Sequence, residues 1–129
     1  MSRSRRYKNP LSAVLVAVDL HRLASVRPLS TDPVTLAVSR FLRDRLRWVD
    51  QIGRWEEDQF LLVLPETTEG DARGLLDKIV SEQDSMQMPE PYDDLRPQLR
   101  FGLACWSKGD DMRTLLRRTL DDLRENSDA

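Results

Sequence analysis

Apolar residues follow two different periodicities along this chain. Residues 13–18 form a short, continuously apolar run rich in β-branched side chains, which is typical of a strand covered on both faces. Residues 31–33 (Thr-Asp-Pro) then supply a capping residue and a proline at the first helical position, and apolar residues recur at helical spacing over residues 34–49. The pattern predicts a central strand and then a helix that ends at about Trp48.

Two short strand-like runs follow, at residues 52–55 and 60–64. The polar residues 56–59 (Glu-Glu-Asp-Gln) separate them, and Pro65 ends the second run. This spacing predicts a β-hairpin with a four-residue acidic turn.

The second half of the chain predicts a helix, a strand and a helix. A capping arrangement at residues 68–71 precedes an amphipathic stripe, while residues 84–97 contain three prolines and predict a loop. Apolar residues alternate over 99–105, and Asp110 or Asp111 caps a final helix. The order β-α-β-β-α-β-α favours an α/β fold, with one sheet and helices packed on it, related to the ferredoxin-like layout.

Length and composition indicate one domain over residues 1–129, with a flexible tail at about residues 1–9. A formal net charge of −2, from 20 basic and 22 acidic side chains, gives no overall attraction to nucleic acid or to an anionic membrane. No apolar run approaches the roughly 20 residues that cross a bilayer. The single Cys105 and the single His21 exclude an intramolecular disulfide, a zinc site and a His-based triad, so we expect a cytoplasmic protein.

The hairpin gives the chain a resemblance to a known family. Residues 54–65 have an Arg-aromatic pair, a short turn, a phenylalanine and an apolar strand closed by proline, and residues 16–22 have an apolar strand that leads into Asp-Leu-His-Arg. Both segments resemble the GGDEF domain family, the diguanylate cyclases that condense two GTP molecules into cyclic di-GMP. The resemblance covers nearly the whole chain and implies a mixed central sheet with flanking helices, the layout of nucleotidyl cyclases.

Four departures from the family pattern bear on catalysis. The turn has Glu-Glu at residues 56–57 where the family has two glycines, which let GTP approach the backbone. Ala17 replaces an aspartate that binds Mg²⁺ in the family, leaving Asp58 as a poor site alone. The guanine-recognition loop is shortened to residues 23–28, and Ser127 stands where a phosphate-binding lysine is expected. We therefore expect no enzyme activity, no catalytic residues and no metal or cofactor.

The family's allosteric product site, an Arg-x-x-Asp motif, is retained five residues before the turn as Arg47 to Asp50. An arginine fork can donate to guanine O6 and N7 or to a phosphate, and a carboxylate can accept from guanine N1 and N2. The resemblance implies that Lys78 assists from the following helix, with Arg54 as a weaker candidate. We expect a cyclic di-GMP receptor that regulates an unidentified effector protein, and the ligand could join two protomers.

Structural alternatives stay open for these residues. Arg47 and Asp50 could form only a surface ion pair at a helix end, and the same motif recurs at Arg118 and Asp121 inside the last helix, where we expect no function.

The neighbouring candidates have alternatives of their own. Arg54 could only brace the hairpin, Trp48 and Trp55 could only fill the core, and Lys78 could be a solvated helix residue. The corresponding alternative function is a protein-interaction module without nucleotide binding.

Overall fold

A four-stranded antiparallel sheet forms the centre of the computed structural model. The structure describes residues 10–18, 32–56, 59–88, 90 and 98–127, so the predicted tail at residues 1–9 lies outside the described part. The elements in chain order are β1 (Leu11–Val18), α1 (Asp32–Arg43), β2 (Gln51–Glu56), β3 (Gln59–Pro65), α2 (Glu69–Glu82), a 3₁₀ turn (Gln83–Ser85), β4 (Leu99–Cys105) and α3 (Met112–Ser127).

The strand order is β2-β3-β1-β4, and this places β1 between two partners. Val14 of β1 lies opposite Leu62 of β3 and Leu103 of β4, and β1 is buried from Ser12 to Val18. The continuous apolar run is explained by this central position. The predicted α/β, ferredoxin-like architecture is confirmed, and the structure adds that all described pairings are antiparallel rather than mixed.

Helices cover both faces of the sheet. Val14, Val16 and Val18 point into a large cluster shared with α1 and α2, whereas Ala13, Leu15 and Ala17 point towards α3. The side of β1 that faces α3 thus contains two alanines, so α3 lies close to the strands. On β4, the Asp122 carboxylate of α3 accepts a hydrogen bond from the Leu103 amide at 2.8 Å.

Helix α1 ends earlier than the sequence predicts, at Arg43 and not near Trp48. The Arg45 and Leu46 amides donate to carbonyls three residues back, and the Arg45 guanidinium donates to the Phe41 carbonyl at 2.8 Å. That guanidinium also lies 3.7 Å from the centre of the Phe41 ring. Leu46 still packs against the core, from a turn rather than a helix. The apolar periodicity therefore continues past the end of the helix, and this is why the predicted end of α1 was wrong.

The predicted four-residue hairpin turn was also wrong. Strand β2 continues to Glu56 and β3 begins at Gln59, and these two residues pair with each other. Only residues 57–58 separate the strands, and they lie outside the described part. The register shifts between Arg54 and Glu56, so polar residues are accommodated within the strands.

The predicted caps of α2 and α3 are present, and the predicted capping residue of α1, Thr31, lies outside the described part. Thr68 caps α2 by accepting from the Asp71 amide at 3.1 Å. At α3 the sequence left two aspartates open, and Asp111 accepts from the Thr114 amide at 2.8 Å, which lowers the pKa of Asp111. Asp110 instead accepts from the Ser107 amide. Asp111 is therefore the cap.

The contact between α3 and β4 depends on Gly102. A Cβ added there would lie 2.6 Å from Leu123 Cβ and closer still to the Thr119 carbonyl oxygen. We expect Gly102→Ala to lower the free energy of unfolding by about 1–3 kcal/mol, because backbone atoms cannot give way as a side chain can. Urea unfolding measures this. Gly74→Ala is the matched control: its added Cβ meets nothing within 4 Å in α2, and it should raise stability by about 0.5–1 kcal/mol. Equal stability of both variants would contradict the close packing.

Candidate functional site

Arg47 and Asp50 lie in a tight turn between α1 and β2. The Asp50 amide donates to the Arg47 carbonyl at 3.0 Å, and the Arg47 amide donates to the Asp50 carboxylate at 2.8 Å. The sequence placed this pair at a helix end, and the early end of α1 puts it in a turn instead. Both ends of the turn are thereby closed by hydrogen bonds, and the Asp50 side chain is only 4% exposed.

The two side chains form a forked ion pair. Arg47 Nε donates to Asp50 Oδ2 at 3.2 Å and Nη2 donates to Oδ1 at 2.8 Å. The hydrogen bond to Asp50 is the largest of the effects that raise the pKa of Arg47, and the nearby charges of Asp50, Glu66 and Asp71 act in the same direction. The ion pair that the sequence allowed as an alternative is therefore present, but its carboxylate is buried.

A third contact ties this turn to the connection between β3 and α2. Arg47 Nη2 donates to the Pro65 carbonyl at 2.6 Å and to Thr67 Oγ1 at 2.8 Å. Glu66, between them, has a left-handed backbone with φ of 52°, which is uncommon for a residue with a Cβ. Buried Ser12 of β1 donates to the Thr67 carbonyl at 2.7 Å. The connection is thus fixed from the sheet side, and it holds one edge of the guanidinium.

These supporting residues were missed by the sequence reasoning. Pro65 was assigned only as the end of a strand, and no significance was given to Thr67. The contact spans 18 residues to Pro65 and 20 to Thr67, so no local periodicity signals it.

A cavity of about 240 Å³ opens beside Arg47. Leu64 and Leu75 supply its apolar lining. Its charged lining consists of two guanidiniums and three carboxylates, one net negative charge, from Arg45, Arg47, Asp50, Glu66 and Asp71. Arg45 is itself paired with Glu82 at 2.7 Å. The cavity therefore offers hydrogen-bonding groups of both kinds and little net attraction for an anion.

The other two predicted ligand residues are not brought into this cavity. Lys78 is exposed on α2, and its spacing from Asp71 and Leu75 places it on the same helix face, one turn beyond the cavity lining. Arg54 is exposed on β2 and donates to the Glu56 carbonyl at 3.4 Å, which fits the alternative that it braces the hairpin. Their contact with a ligand stays a prediction.

Arg118, Trp48 and Trp55 have surroundings that differ from those of Arg47. The second Arg-x-x-Asp motif has a different arrangement, because Arg118 pairs with Asp110 and donates to the Cys105 carbonyl at 2.7 Å. The alternative that Trp48 and Trp55 fill the core is wrong, since they are 94% and 40% exposed.

The positions that would serve catalysis differ in their surroundings. Ala17 is buried and packs with Leu15 and Leu123 on the α3 side of the sheet. Glu56 is exposed at the end of β2. Among the described residues, no group of three His, Cys, Asp or Glu side chains could hold a metal ion. Asp58 and the 23–28 loop lie outside the described part.

Comparison with known proteins decides the family. The sequence profile of the family described as diguanylate cyclase, GGDEF domain, matches residues 3–128. The chain belongs to the GGDEF domain family. No curated protein matches it significantly. None of the described helices of this GGDEF domain has the length and apolar composition that a membrane span requires.

Three solved structures show the shared fold. The diguanylate cyclase SiaD of Pseudomonas aeruginosa, in complex with its activator SiaC, is 22% identical with a TM-score of 0.86, and the match covers 98% of this chain and 50% of SiaD. This chain thus spans about half of SiaD. The GGDEF domain of DgcB from Caulobacter crescentus, in complex with c-di-GMP, is 14% identical with a TM-score of 0.84 and coverage of 98% and 77%. The GGDEF domain of FimX from Pseudomonas aeruginosa is 13% identical with a TM-score of 0.83 and coverage of 93% and 76%.

The buried carboxylate makes Asp50 a structural residue as well as a ligand candidate. We expect Asp50→Ala to lower the free energy of unfolding by about 1–3 kcal/mol, because the Arg47 amide loses its acceptor and the turn loses one closing bond. Thermal and urea unfolding measure the change. Asp77→Ala, which removes an exposed carboxylate from α2, should stay within about 0.5 kcal/mol of the wild type. Similar values for the two variants would show that the turn does not depend on Asp50.

Proposed function

We propose that this GGDEF domain is a non-catalytic receptor for cyclic di-GMP, which it binds at Arg47 and uses to regulate a partner protein. The observation that supports this best is that the Arg47 guanidinium is held by hydrogen bonds and its side chain is still partly exposed. Its Nε and Nη2 groups are held by Asp50, Pro65 and Thr67, while its side chain is still 49% exposed beside the cavity.

The free edge of that guanidinium suits a nucleotide. Among the described residues, Nη1 of Arg47 has no acceptor, so its two hydrogens can be donated to phosphate oxygens or to a single acceptor of guanine, O6 or N7. Because the other edge is already fixed, little side-chain entropy is lost when a ligand binds.

This arrangement gives Asp50 a different role from the one that the motif implies. Both Asp50 oxygens accept hydrogen bonds from Arg47, so we infer that Asp50 positions the arginine rather than contacting guanine N1 and N2. Glu66 and Asp71 are exposed on the same cavity and can accept from those donors. Lys78, one turn further along α2, is placed to meet a phosphate of the same ligand.

The absence of synthesis is the second part of the proposal. Glu56 adds a side chain and a negative charge at the end of β2, where the family has a glycine that lets GTP approach. Ala17 has no ligand atom for Mg²⁺ and packs in an apolar cluster, where a carboxylate would need to be desolvated. Cyclic di-GMP formed from GTP and Mg²⁺ by the purified protein would contradict this part.

Two of the structures with this fold support a cyclic dinucleotide as the ligand and a protein as the partner. The DgcB domain has the same fold and binds c-di-GMP, and SiaD is in complex with a protein activator. A receptor needs such a partner to act, and we propose that this domain regulates one in the cytoplasm, with a ligand-linked homodimer as a further form.

A module that binds only a protein is the second candidate, and the almost fully exposed Trp48 favours it. That function predicts a partner retained on the protein without nucleotide and lost in variants of an exposed surface, with no change caused by cyclic di-GMP.

Calorimetric titration tests the binding proposal. We expect micromolar binding of cyclic di-GMP, weaker binding of GTP, and a loss of roughly tenfold or more in Arg47→Ala, because the charge-assisted hydrogen bonds from Nη1 to guanine or phosphate are lost. Arg47→Lys keeps the charge but not the fork, so it should also bind weakly even if Arg47→Ala disturbs the turn.

Arg73→Ala is the matched control, since Arg73 forms an exposed pair with Glu69 at 3.2 Å. It should bind like the wild type. Undetectable wild-type binding, or equal affinity in all four proteins, would overturn the proposal.

A further inference from the structure

Trp48 is the most exposed large apolar side chain in the described part of the chain, with 94% of its surface accessible. An indole is a large apolar surface, and leaving it in water forfeits the burial that usually stabilises a tryptophan. It directly follows Arg47 in the tight turn. Its position calls for a binding role rather than a role in the core.

The backbone under Trp48 is held firmly. The turn is closed by the Asp50 amide and by the Asp50 carboxylate, and the Arg47 side chain is tied to Pro65 and Thr67. Consecutive Cα atoms are about 3.8 Å apart, so the indole begins next to the arginine, which lines the cavity. Only two side-chain torsions remain to be ordered, so an exposed aromatic residue on a fixed turn loses little conformational entropy when it contacts a ligand.

The net charge of the cavity indicates that an aromatic residue could contribute to the affinity for a ligand. Its lining has one net negative charge, so long-range attraction contributes little to the binding of a cyclic dinucleotide with two phosphates. Affinity must then come from short-range contacts. Stacking of a base on an aromatic side chain strengthens binding by roughly five- to a hundredfold and does not depend on charge.

We propose that the indole of Trp48 stacks on a purine base of the ligand that Arg47 holds. This rests on the proposed function, and it makes Trp48 a binding residue of the same site. Arg47 supplies hydrogen bonds in the plane of the ligand's bases or to its phosphate, and Trp48 supplies a surface for the face of a base.

Trp106 allows a matched comparison. Trp106 follows β4, at the opposite edge of the sheet from β2, and is 40% exposed. Trp106→Leu should therefore leave ligand binding unchanged. Trp48→Leu removes the aromatic face but keeps an apolar side chain, and Trp48→Phe restores part of that face.

The test is calorimetric titration of the four proteins with cyclic di-GMP, with tryptophan fluorescence followed in parallel. We expect Trp48→Leu to bind about tenfold more weakly, Trp48→Phe to recover most of the loss, and ligand-induced quenching to disappear in both Trp48 variants but not in Trp106→Leu. Binding of cyclic di-GMP by Trp48→Leu within twofold of the wild type would overturn the stacking proposal alone. The same conclusion holds if that variant binds the ligand normally but no longer binds a protein partner. No binding by the wild type would overturn the proposed function together with it.

Discussion

The pairing of Arg47 with Asp50 connects three parts of the molecule. It closes the turn between α1 and β2, it ends on a buried carboxylate at the start of the edge strand, and through Pro65 and Thr67 it fixes the connection from β3 to α2. Ser12 then links that connection to the central strand. Because several acceptors hold one edge of this guanidinium, its orientation is fixed. Its other edge therefore stays available to a ligand.

The same fold places the positions that correspond to the family's catalytic residues under different constraints. Ala17 lies in the tightly packed layer between the sheet and α3, where Gly102 already shows that little space remains. The hairpin keeps its pairing although its turn has lost the glycines of the family. Retention of the hairpin follows from strand pairing and the apolar side of β3, neither of which requires nucleotide chemistry. The proposed loss of catalysis and the proposed ligand site are therefore physically compatible in one domain.

Parts of this account were predictable from residue patterns, and other parts were not. The apolar run of β1 and the cap Thr68 depend on nearby residues, and they were predicted correctly. For α3 the sequence limited the cap to Asp110 or Asp111, and the structure selects Asp111. The end of α1 was not, because Leu46 packs on the core from a turn and continues the helical periodicity.

The candidate site shows the same division. The motif located Arg47 and Asp50, but their mutual pairing makes Asp50 a positioning residue in our account. Thr67 and the left-handed Glu66 depend on contacts between segments distant in sequence, and these arise only in the folded chain.

Amide chemical shifts recorded during addition of cyclic di-GMP test the central claim most directly, because they locate the ligand residue by residue. The account predicts the largest changes at residues 45–50 and 64–67, around the Arg47 cavity, with small changes at the end of β1 and in the hairpin. Changes concentrated at residues 17–18 and 54–60, or no changes at saturating ligand, would contradict it.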